Sequence, residues 1–230
     1  MLVIAHRSGP DIYPGQTVLS ALRALENGAD MVEIDTRFTK DDAIVISHDE
    51  TALPHFGVDR AVADMTLAEF MALRVKTNPI FPSHRLTDYL EAGVKPLLIH
   101  VKEGGRRLPA LIDCLRAHDA LAATTLGLHS TEDVAIVRAL APEVRILAFM
   151  PKAEDREAFL AAGVDVVRLW EPWVTPEAID AIHAAGRQVW IMSRNPTVGY
   201  TTPEQLRLFR DLGADGVLIN EVPKALPFAD

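Results

Sequence analysis

The sequence predicts an α/β fold in which a single domain closes into a (β/α)8 TIM-type barrel, with an antiparallel hairpin and a long insertion after the second strand. Two observations predict the barrel. A glycine-centred pattern recurs five times along the 230 residues, and helix-like and strand-like segments alternate throughout the chain. Such alternation is typical of parallel βαβ units, and eight units in this length indicate a closed barrel. No linker interrupts the pattern, so residues 1–230 are expected to form one domain.

Each copy of the pattern passes from a helix end, through a glycine, into a short apolar strand. Glycine readily adopts the left-handed conformation that ends many helices. The copies are "NGADMVEID", "AGVKPLLIH", "AGVDVVRLW", "AGRQVWIMS" and "LGADGVLIN", with their glycines at Gly28, Gly93, Gly163, Gly186 and Gly213. Apolar runs at 2–6, 123–129 and 144–150 complete a set of eight predicted parallel strands.

One further apolar run, 43–49, does not fit a parallel barrel. Only "TKDD" separates it from the strand at 32–38, which is too short for a parallel crossover but suits an antiparallel hairpin. We expect this hairpin to place His48 beside Asp35. Residues 38–82 are then predicted to form an insertion over the mouth of the barrel.

The glycine spacing also predicts which strand residues face inward. The sixth residue after each glycine is apolar and is expected to pack on the outer helices: Ile34, Ile99, Leu169, Met192 and Ile219. Residues on the opposite face should line the mouth, where such barrels hold their active sites. These are Glu33, Asp35, Arg37, His100, Lys102, Arg168, Trp170, Ser193, Asn195 and Asn220.

Composition narrows the classes of partner. The net charge of −9 disfavours nucleic acid and anionic membrane surfaces as partners. Cys114 is the single cysteine, so neither an intrachain disulfide nor a cysteine zinc site is expected. The first residues lack the pattern of a signal peptide or membrane helix, so we expect a cytoplasmic protein without stable membrane insertion. The oligomeric state stays open.

The predicted mouth brings together groups that suit a metal ion. Glu33, Asp35 and His100 would supply two carboxylates and an imidazole on adjacent strands, a donor set that suits a divalent cation. The structural alternative is that the two carboxylates pair with Lys102 and Arg37.

Histidines at the same rim predict proton transfer. His6 and His48 end the first strand and the hairpin, and could act as general base and general acid on a metal-bound phosphoryl group. Lys102 would stabilise the developing charge. Arg168 and Trp170 are expected either to contact substrate or to form a structural pair, and Asn195 is a further candidate for substrate contact. His129 gives a weaker signal at a strand end.

The motifs resemble the glycerophosphodiester phosphodiesterase family. "IAHR", "YPGQT" and "GADMVEIDTRFTKDDAIVISHDE" are similar to its HRG, PENT, E-L-D-V, T-K-D-G and H-D motifs. "LLIHVK", "AAGRQVWIMSRN" and "LGADGVLINEVP" are similar to its later E-I-K, W-T-V-N and T-D-x-P segments, so the resemblance covers the whole chain in order. The family fold is a (β/α)8 barrel.

The resemblance implies hydrolysis of glycerophosphodiesters to sn-glycerol 3-phosphate and an alcohol, with Mg²⁺ or Ca²⁺. Carried over by position, His6 and His48 are the acid/base pair, and Arg7 contacts the phosphate. Glu33 and Asp35 are metal ligands, and Lys102 supports the phosphate.

Several positions depart from the family pattern. His100 stands where the family has its third metal carboxylate, and Gly15 replaces the glutamate of PENT; Ser8 and Met192 replace the glycine of HRG and the tryptophan of W-T-V-N. Exchanging a carboxylate for an imidazole should favour Mn²⁺, Co²⁺ or Zn²⁺ over Mg²⁺ and Ca²⁺.

These departures leave two alternatives. The protein could bind a phosphorylated ligand without turning it over. It could instead be a phosphodiesterase of lysophospholipase D type, if apolar residues of the insertion form a groove for an acyl chain. The competing interpretation is that these residues, which are Phe56, Met65, Leu67, Phe70 and Met71, form a small core of the insertion.

Overall fold

The computed structural model describes residues 1–194 and 196–229. Eight parallel strands close into a barrel, because β1 pairs with both β2 and β9, and a ninth strand, β3, extends β2 in antiparallel pairing. The predicted (β/α)8 fold is confirmed. The strands are β1 (Leu2–Ala5), β2 (Met31–Phe38), β3 (Ile44–Ile46), β4 (Leu97–Val101), β5 (Thr124–Leu128), β6 (Arg145–Ala148), β7 (Val166–Trp170), β8 (Gln188–Met192) and β9 (Gly216–Ile219).

Helices cover the outside of the barrel and build the insertion. The α-helices are α1 (Val18–Glu26), α2 (Leu53–Phe56), α3 (Leu67–Met71), α4 (Leu86–Glu91), α5 (Leu108–Ala117), α6 (Thr131–Leu140), α7 (Arg156–Ala161), α8 (Pro176–Ala184), α9 (Pro203–Asp211) and α10 (Val222–Ala225). Short 3₁₀ helices lie at His6–Ser8, Val62–Asp64, Gly105–Arg107, Leu121–Ala123, Ala153–Asp155, Glu171–Trp173 and Leu226–Phe228. Within the described residues, no helix is long and apolar enough to cross a membrane.

Local sequence explains where the helices begin and end. The hydroxyls of Thr17, Ser130 and Thr175 accept hydrogen bonds from the first-turn backbone amides of α1, α6 and α8. The repeat glycines follow the helices in the left-handed conformation, as at Gly28 with φ 97°. These signals fix where each helix begins and ends. They therefore also fix how far along the barrel axis each strand ends.

Two apolar clusters hold the barrel together. The larger lies between the strands and the outer helices, and it contains Ile34, Ile99, Leu169 and Ile219 as predicted. The smaller fills the barrel interior and consists of Ile4, Met31, Leu98, Leu147, Phe149, Val166, Trp190, Met192 and Leu218. Its buried side chains form the floor beneath the polar mouth.

The predicted orientation of Met192 is wrong, because β8 starts one residue earlier after its glycine than β7 does. Gln188 comes two positions after Gly186, whereas Val166 comes three positions after Gly163, and these two residues pair in the sheet. Since side chains alternate between faces, one residue of offset reverses them. Met192 therefore points into the barrel, and Ser193 is buried and accepts a hydrogen bond from Thr201 Oγ1.

The segment after β2 folds as predicted. Thr36 pairs with Ile46, and Phe38 with Ile44, in the antiparallel hairpin. The apolar residues that follow pack into a core of their own, formed by Val45, Ala52, Phe56, Val62, Met65, Phe70 and Val75, with Leu67 and Met71 against it. They therefore form a structural core, as the competing interpretation holds, and the alternative of an acyl-chain groove is not built from them.

Candidate active site

A cavity of about 310 Å³ opens at the carboxyl ends of the strands. It is lined by His6, Arg7, Glu33, His48, His100, Lys102, His129, Phe149, Arg168, Trp170, Met192, Val198 and Leu218. The predicted candidates thus share one space, except Asp35, which is fully buried immediately beneath it, and Asn195, which lies outside the described residues.

Two buried carboxylates form the base of the site. Glu33 and Asp35 lie two apart on β2 and point inward. The backbone amide of Arg7 donates to Glu33 Oε2 at 2.7 Å. The side-chain amide of Gln16 donates to Asp35 Oδ2 at 2.5 Å. These two hydrogen bonds fix the orientation of both carboxylates.

His100 on β4 completes a group of three that could hold a metal ion. Its Nδ1 lies 2.9 Å from Asp35 Oδ1 and 3.7 Å from Glu33 Oε1. One donor atom from each residue lies within 4.8 Å of the others. Two carboxylate oxygens and an imidazole nitrogen, converging at this spacing, fit a divalent cation.

Cationic groups flank these carboxylates. Lys102 Nζ lies 2.9 Å from Asp35 Oδ1, and Arg7 Nε lies 3.8 Å from Asp35 Oδ2. Arg37 instead contacts Glu103 at 3.2 Å and donates to the His48 carbonyl, so it is not a partner of the two carboxylates. Of the pairs in the structural alternative, the structure therefore contains the one between Lys102 and Asp35, and Arg37 pairs with Glu103.

The two carboxylates differ in their acidity. Burial, together with the charge of Asp35, raises the pKa of Glu33 to about 7. Burial would also raise the pKa of Asp35, but the hydrogen bond and charge of His100 and the ammonium of Lys102 hold it well below its ordinary range. Like charges this close cannot both ionise freely without a compensating cation.

His6 is oriented by Asn220, which directly follows β9. Its Nδ1 lies 2.6 Å from Asn220 Oδ1, and Asn220 Nδ2 donates to the Val198 carbonyl, which fixes the amide orientation. Nδ1 therefore carries the proton, and Nε2 keeps its lone pair. A Cβ at Gly199 would lie 2.6 Å from His6 Nδ1, so this close approach of the loop requires glycine.

His48 has a charged partner instead. Its Nδ1 lies 3.0 Å from Asp49 Oδ1, and a carboxylate in this position stabilises the protonated ring. Burial nevertheless lowers the pKa values of both His48 and His6 below 6.5. The two imidazoles thus differ in their orienting group, an amide for His6 and a carboxylate for His48.

His129 contributes more than its sequence signal indicated. Its Nδ1 lies 3.1 Å from the Phe149 carbonyl, which makes Nδ1 the donor and Nε2 the acceptor. His100 Nε2 lies 2.6 Å from that acceptor, and the His100 ring stacks on Phe149 at 3.9 Å. A chain of hydrogen bonds from the Phe149 carbonyl through His129 therefore directs His100 Nδ1 toward the carboxylates.

Arg168 and Trp170 lie on the opposite wall of the cavity. The guanidinium carbon of Arg168 is 3.9 Å from the Trp170 ring centroid, a close cation–π contact. Arg168 is only 4% exposed, yet it lines the cavity. Both residues were predicted at the mouth, and the structure places them there.

Sequence reasoning placed Asn220 at the mouth and His129 at a strand end, but it did not predict which residues orient the reactive groups. Gln16, Asn220 and His129 hold Asp35, His6 and His100 respectively. Gln16 directly follows Gly15, the glycine at the position of the family's PENT glutamate. A Cβ at Gly15 would lie 2.8 Å from the Arg7 carbonyl, so the turn that delivers Gln16 depends on this glycine.

Two curated proteins are similar in sequence to parts of this chain. A glycerophosphodiester phosphodiesterase of Caldanaerobacter subterraneus subsp. tengcongensis is 35% identical over 107 residues, an alignment that covers 44% of each chain. Lysophospholipase D GDPD1 of Homo sapiens is 35% identical over 66 residues, which cover 29% of this chain and 21% of that protein. The aligned segments thus span less than half the length of these two relatives.

A solved structure shares the fold over almost the full length. It is an Oleispira antarctica phosphodiesterase in complex with the product sn-glycerol-3-phosphate, with a TM-score of 0.86, 19% identity, and coverage of 99% of this chain and 96% of that one. The model of the glycerophosphoryl diester phosphodiesterase family matches residues 6–224. Because this match takes in nearly the whole barrel, the chain belongs to the glycerophosphoryl diester phosphodiesterase family.

Proposed function

We propose that the protein is a metal-dependent phosphodiesterase that hydrolyses glycerophosphodiesters to sn-glycerol 3-phosphate and an alcohol. The observation that carries the proposal is the cluster of Glu33, Asp35 and His100 at the base of the cavity that His6 and His48 also line. Family membership supports the reaction class.

The donor set suits one divalent cation held by Glu33, Asp35 and His100. The family favours Mg²⁺ or Ca²⁺, and the imidazole adds Mn²⁺, Co²⁺ and Zn²⁺ as candidates. When bound, the cation would polarise the phosphoryl group as a Lewis acid. Arg7 and Lys102 lie beside it and would stabilise charge on the phosphoryl oxygens.

The orienting partners support a division of the two proton transfers between the histidines. His6, whose Nδ1 donates to a neutral amide, has a free Nε2 lone pair and accepts a proton from the attacking water. His48, paired with Asp49, is better able to hold a proton and gives it to the leaving alcohol oxygen as the phosphorus–oxygen bond breaks. After product release, His6 gives its proton to solvent and His48 takes one up, which returns both rings to their starting protonation.

The direct test uses metal-stripped protein with glycerophosphocholine, glycerophosphoethanolamine and glycerophosphoglycerol. Release of glycerol 3-phosphate is followed with Mg²⁺, Ca²⁺, Mn²⁺, Co²⁺ and Zn²⁺ added one at a time. We expect release to return with metal. Saturable binding without release under every metal would instead identify a phosphoryl-ligand binding protein.

A lysophospholipase D activity is the second candidate, favoured by the similarity to Lysophospholipase D GDPD1 of Homo sapiens. The core residues of the insertion pack against one another and form no acyl groove, but apolar side chains at the cavity wall, among them Met192, Val198 and Leu218, could contact a chain that leaves the mouth. Release of choline from lysophosphatidylcholine at a higher kcat/KM than from glycerophosphocholine would establish this activity.

A further inference from the structure

Arg168 is a buried cation that forms no ion pair with any residue in 1–194 or 196–229. Its side chain projects from β7 into the barrel mouth, and only 4% of the residue is exposed. Nε and Nη1 are buried and have no hydrogen-bond partner among the described residues. The neighbouring charge that acts on it most is another cation, Arg194, and with burial it lowers the pKa of Arg168 to about 9.

Such an arrangement is costly in a folded protein. A buried charge with unsatisfied donors is unfavourable unless an ion or hydrogen-bond acceptor compensates it. A pKa of about 9 leaves the guanidinium protonated near neutral pH. Glu171 lies nearby in sequence, but its Oε1 accepts a hydrogen bond from Gln205 Nε2, and it forms no ion pair with Arg168.

Aromatic rings support one face of the guanidinium. Trp170 lies 3.9 Å from its central carbon, Phe149 lies 5.3 Å away and Trp173 lies 5.8 Å away. Stacking occupies the flat face of the group, and the unpartnered Nε and Nη1 atoms lie on its N–H edge. That edge presents paired donors that match the two oxygens of a carboxylate or phosphate.

The position of Arg168 relates it to the substrate rather than to the metal group. Phe149 stands between them, with its ring 3.9 Å from His100 on one side and 5.3 Å from the Arg168 guanidinium on the other. The phosphoryl group already has Arg7 and Lys102 at the metal end. A cation one aromatic ring further along the same cavity therefore faces another part of the substrate.

We propose that Arg168 forms a second anion-binding subsite, so that the preferred substrates are phosphodiesters whose leaving alcohol carries a carboxylate or a further phosphate. This inference rests on the proposed phosphodiesterase function and names its substrate class. The bound oxyanion would accept hydrogen bonds from the unpartnered nitrogens of Arg168 and hold the leaving alcohol against Trp170.

Two matched substrate pairs test the subsite. Glycerophosphoserine differs from glycerophosphoethanolamine by one carboxylate, and glycerophosphoglycerol is compared with its derivative phosphorylated on the distal glycerol. We expect the more anionic member of at least one pair to have a kcat/KM about tenfold to 100-fold higher, the range for a hydrogen bond between charged groups. Ratios within about twofold for both pairs overturn the inference while leaving the phosphodiesterase function intact.

Variants connect the preference to this residue. Arg168→Met should bring the ratio close to one, and Arg168→Lys, which keeps the charge but loses the planar fork, should retain part of it. Arg187→Met is the matched control, because Arg187 pairs with Asp165 away from the cavity. Arg187 directly precedes β8, whose other end lies at the cavity. A preference that survives in Arg168→Met overturns the inference, and Arg168→Lys provides the same comparison if Arg168→Met does not fold.

Absence of turnover would not prevent the test. The same four diesters are then titrated into metal-loaded protein by calorimetry. A lower Kd for the more anionic member of a pair in the wild type, with no such difference in Arg168→Met, supports the subsite although the phosphodiesterase function has failed. Equal Kd values within each pair overturn the subsite independently of catalysis.

Discussion

His6 and His48 differ most in what holds their Nδ1 atoms. A neutral amide holds the first and a carboxylate holds the second, so the two rings differ in how well they bear a positive charge. Reactions that need one base and one acid benefit from such a difference. In the proposed mechanism, the orienting partner and not the ring itself would therefore separate the two roles.

Removing either ring should reduce turnover severely. We expect His6→Ala and His48→Ala each to lower kcat by about 10²–10⁴, since each removes one proton-transfer group. His118→Ala is the matched control, because that exposed ring bonds only to the Cys114 carbonyl of its own helix. Initial rates at saturating substrate measure the effect, and near-normal turnover in both active-site variants would contradict the assignment.

His100 should determine the choice of metal. We expect His100→Glu to shift preference toward Mg²⁺ and Ca²⁺, because a third carboxylate replaces an imidazole that transition metals accept readily. Calorimetric titration of each cation into metal-free protein gives the relative affinities without an activity measurement. If the order of affinities is the same in both proteins, His100 is not a ligand.

The residue types of the metal group were predictable, whereas their orienting partners were not. Glu33, Asp35 and His100 follow from strand alternation and glycine spacing, which are local properties of the sequence. Gln16 reaches Asp35 from a turn, and His129 reaches His100 from the next strand along the sheet. Such contacts depend on how loops and neighbouring strands pack, which no local pattern specifies.

At the scale of elements, the insertion after β2 is stabilised by its own core. Phe70 is fully buried there and meets Phe56 edge-on, with ring centroids 5.5 Å apart. Val45 of β3 belongs to the same cluster, so the strand that leads to His48 is anchored by insertion side chains. The position of the proposed acid thus depends on packing outside the barrel.

Truncation in this core should be costly. We expect Phe70→Ala to lower the free energy of unfolding by about 3–5 kcal/mol, through lost burial and the cavity left behind. Ile80→Ala in the same insertion is the control, because Ile80 is 85% exposed and should change stability by less than about 0.5 kcal/mol. Urea denaturation gives both values, and similar losses for the two variants would contradict an independent core.

Element boundaries show where sequence reasoning holds and where it fails. The glycine repeat correctly places the strand ends and the hairpin, because helix caps and turns are encoded locally. It fails at Met192, where the connection before β8 is one residue shorter than that before β7. A one-residue difference in a connection is invisible to a pattern that aligns glycines, yet it reverses the inward and outward faces.

For the whole molecule, buried histidines should make stability sensitive to mild acid. Burial lowers the pKa values of His55 and His84 in the insertion below the unfolded value of 6.5. Between 6.5 and the lower folded pKa, the unfolded chain binds protons that the folded protein does not. Their contribution to stability is therefore complete above pH 6.5 and is lost as the pH falls through the folded pKa values.

A single substitution checks the sign of this effect. We expect the free energy of unfolding to decrease from about pH 7 to about pH 5 in metal-free protein, and to decrease less in His84→Gln, which lacks one of the titrating groups. Urea denaturation with a chelator present, at several pH values in this range, supplies both curves. A variant curve parallel to that of the wild type would show that His84 does not contribute.

The closure of β1 between β2 and β9 has a consequence for how this barrel could diversify. The groups proposed for the phosphoryl chemistry, from His6 to Lys102, belong to β1, the β2–β3 hairpin, β4 and the loops that follow them. Arg168 and Trp170 belong to the later half, which contacts the earlier half through the β4–β5 and β1–β9 seams. Chimaeras that join the two halves of different family members at these seams should therefore combine one reaction with a new choice of leaving group, provided that Asn220 is retained to hold His6 and His129 to hold His100.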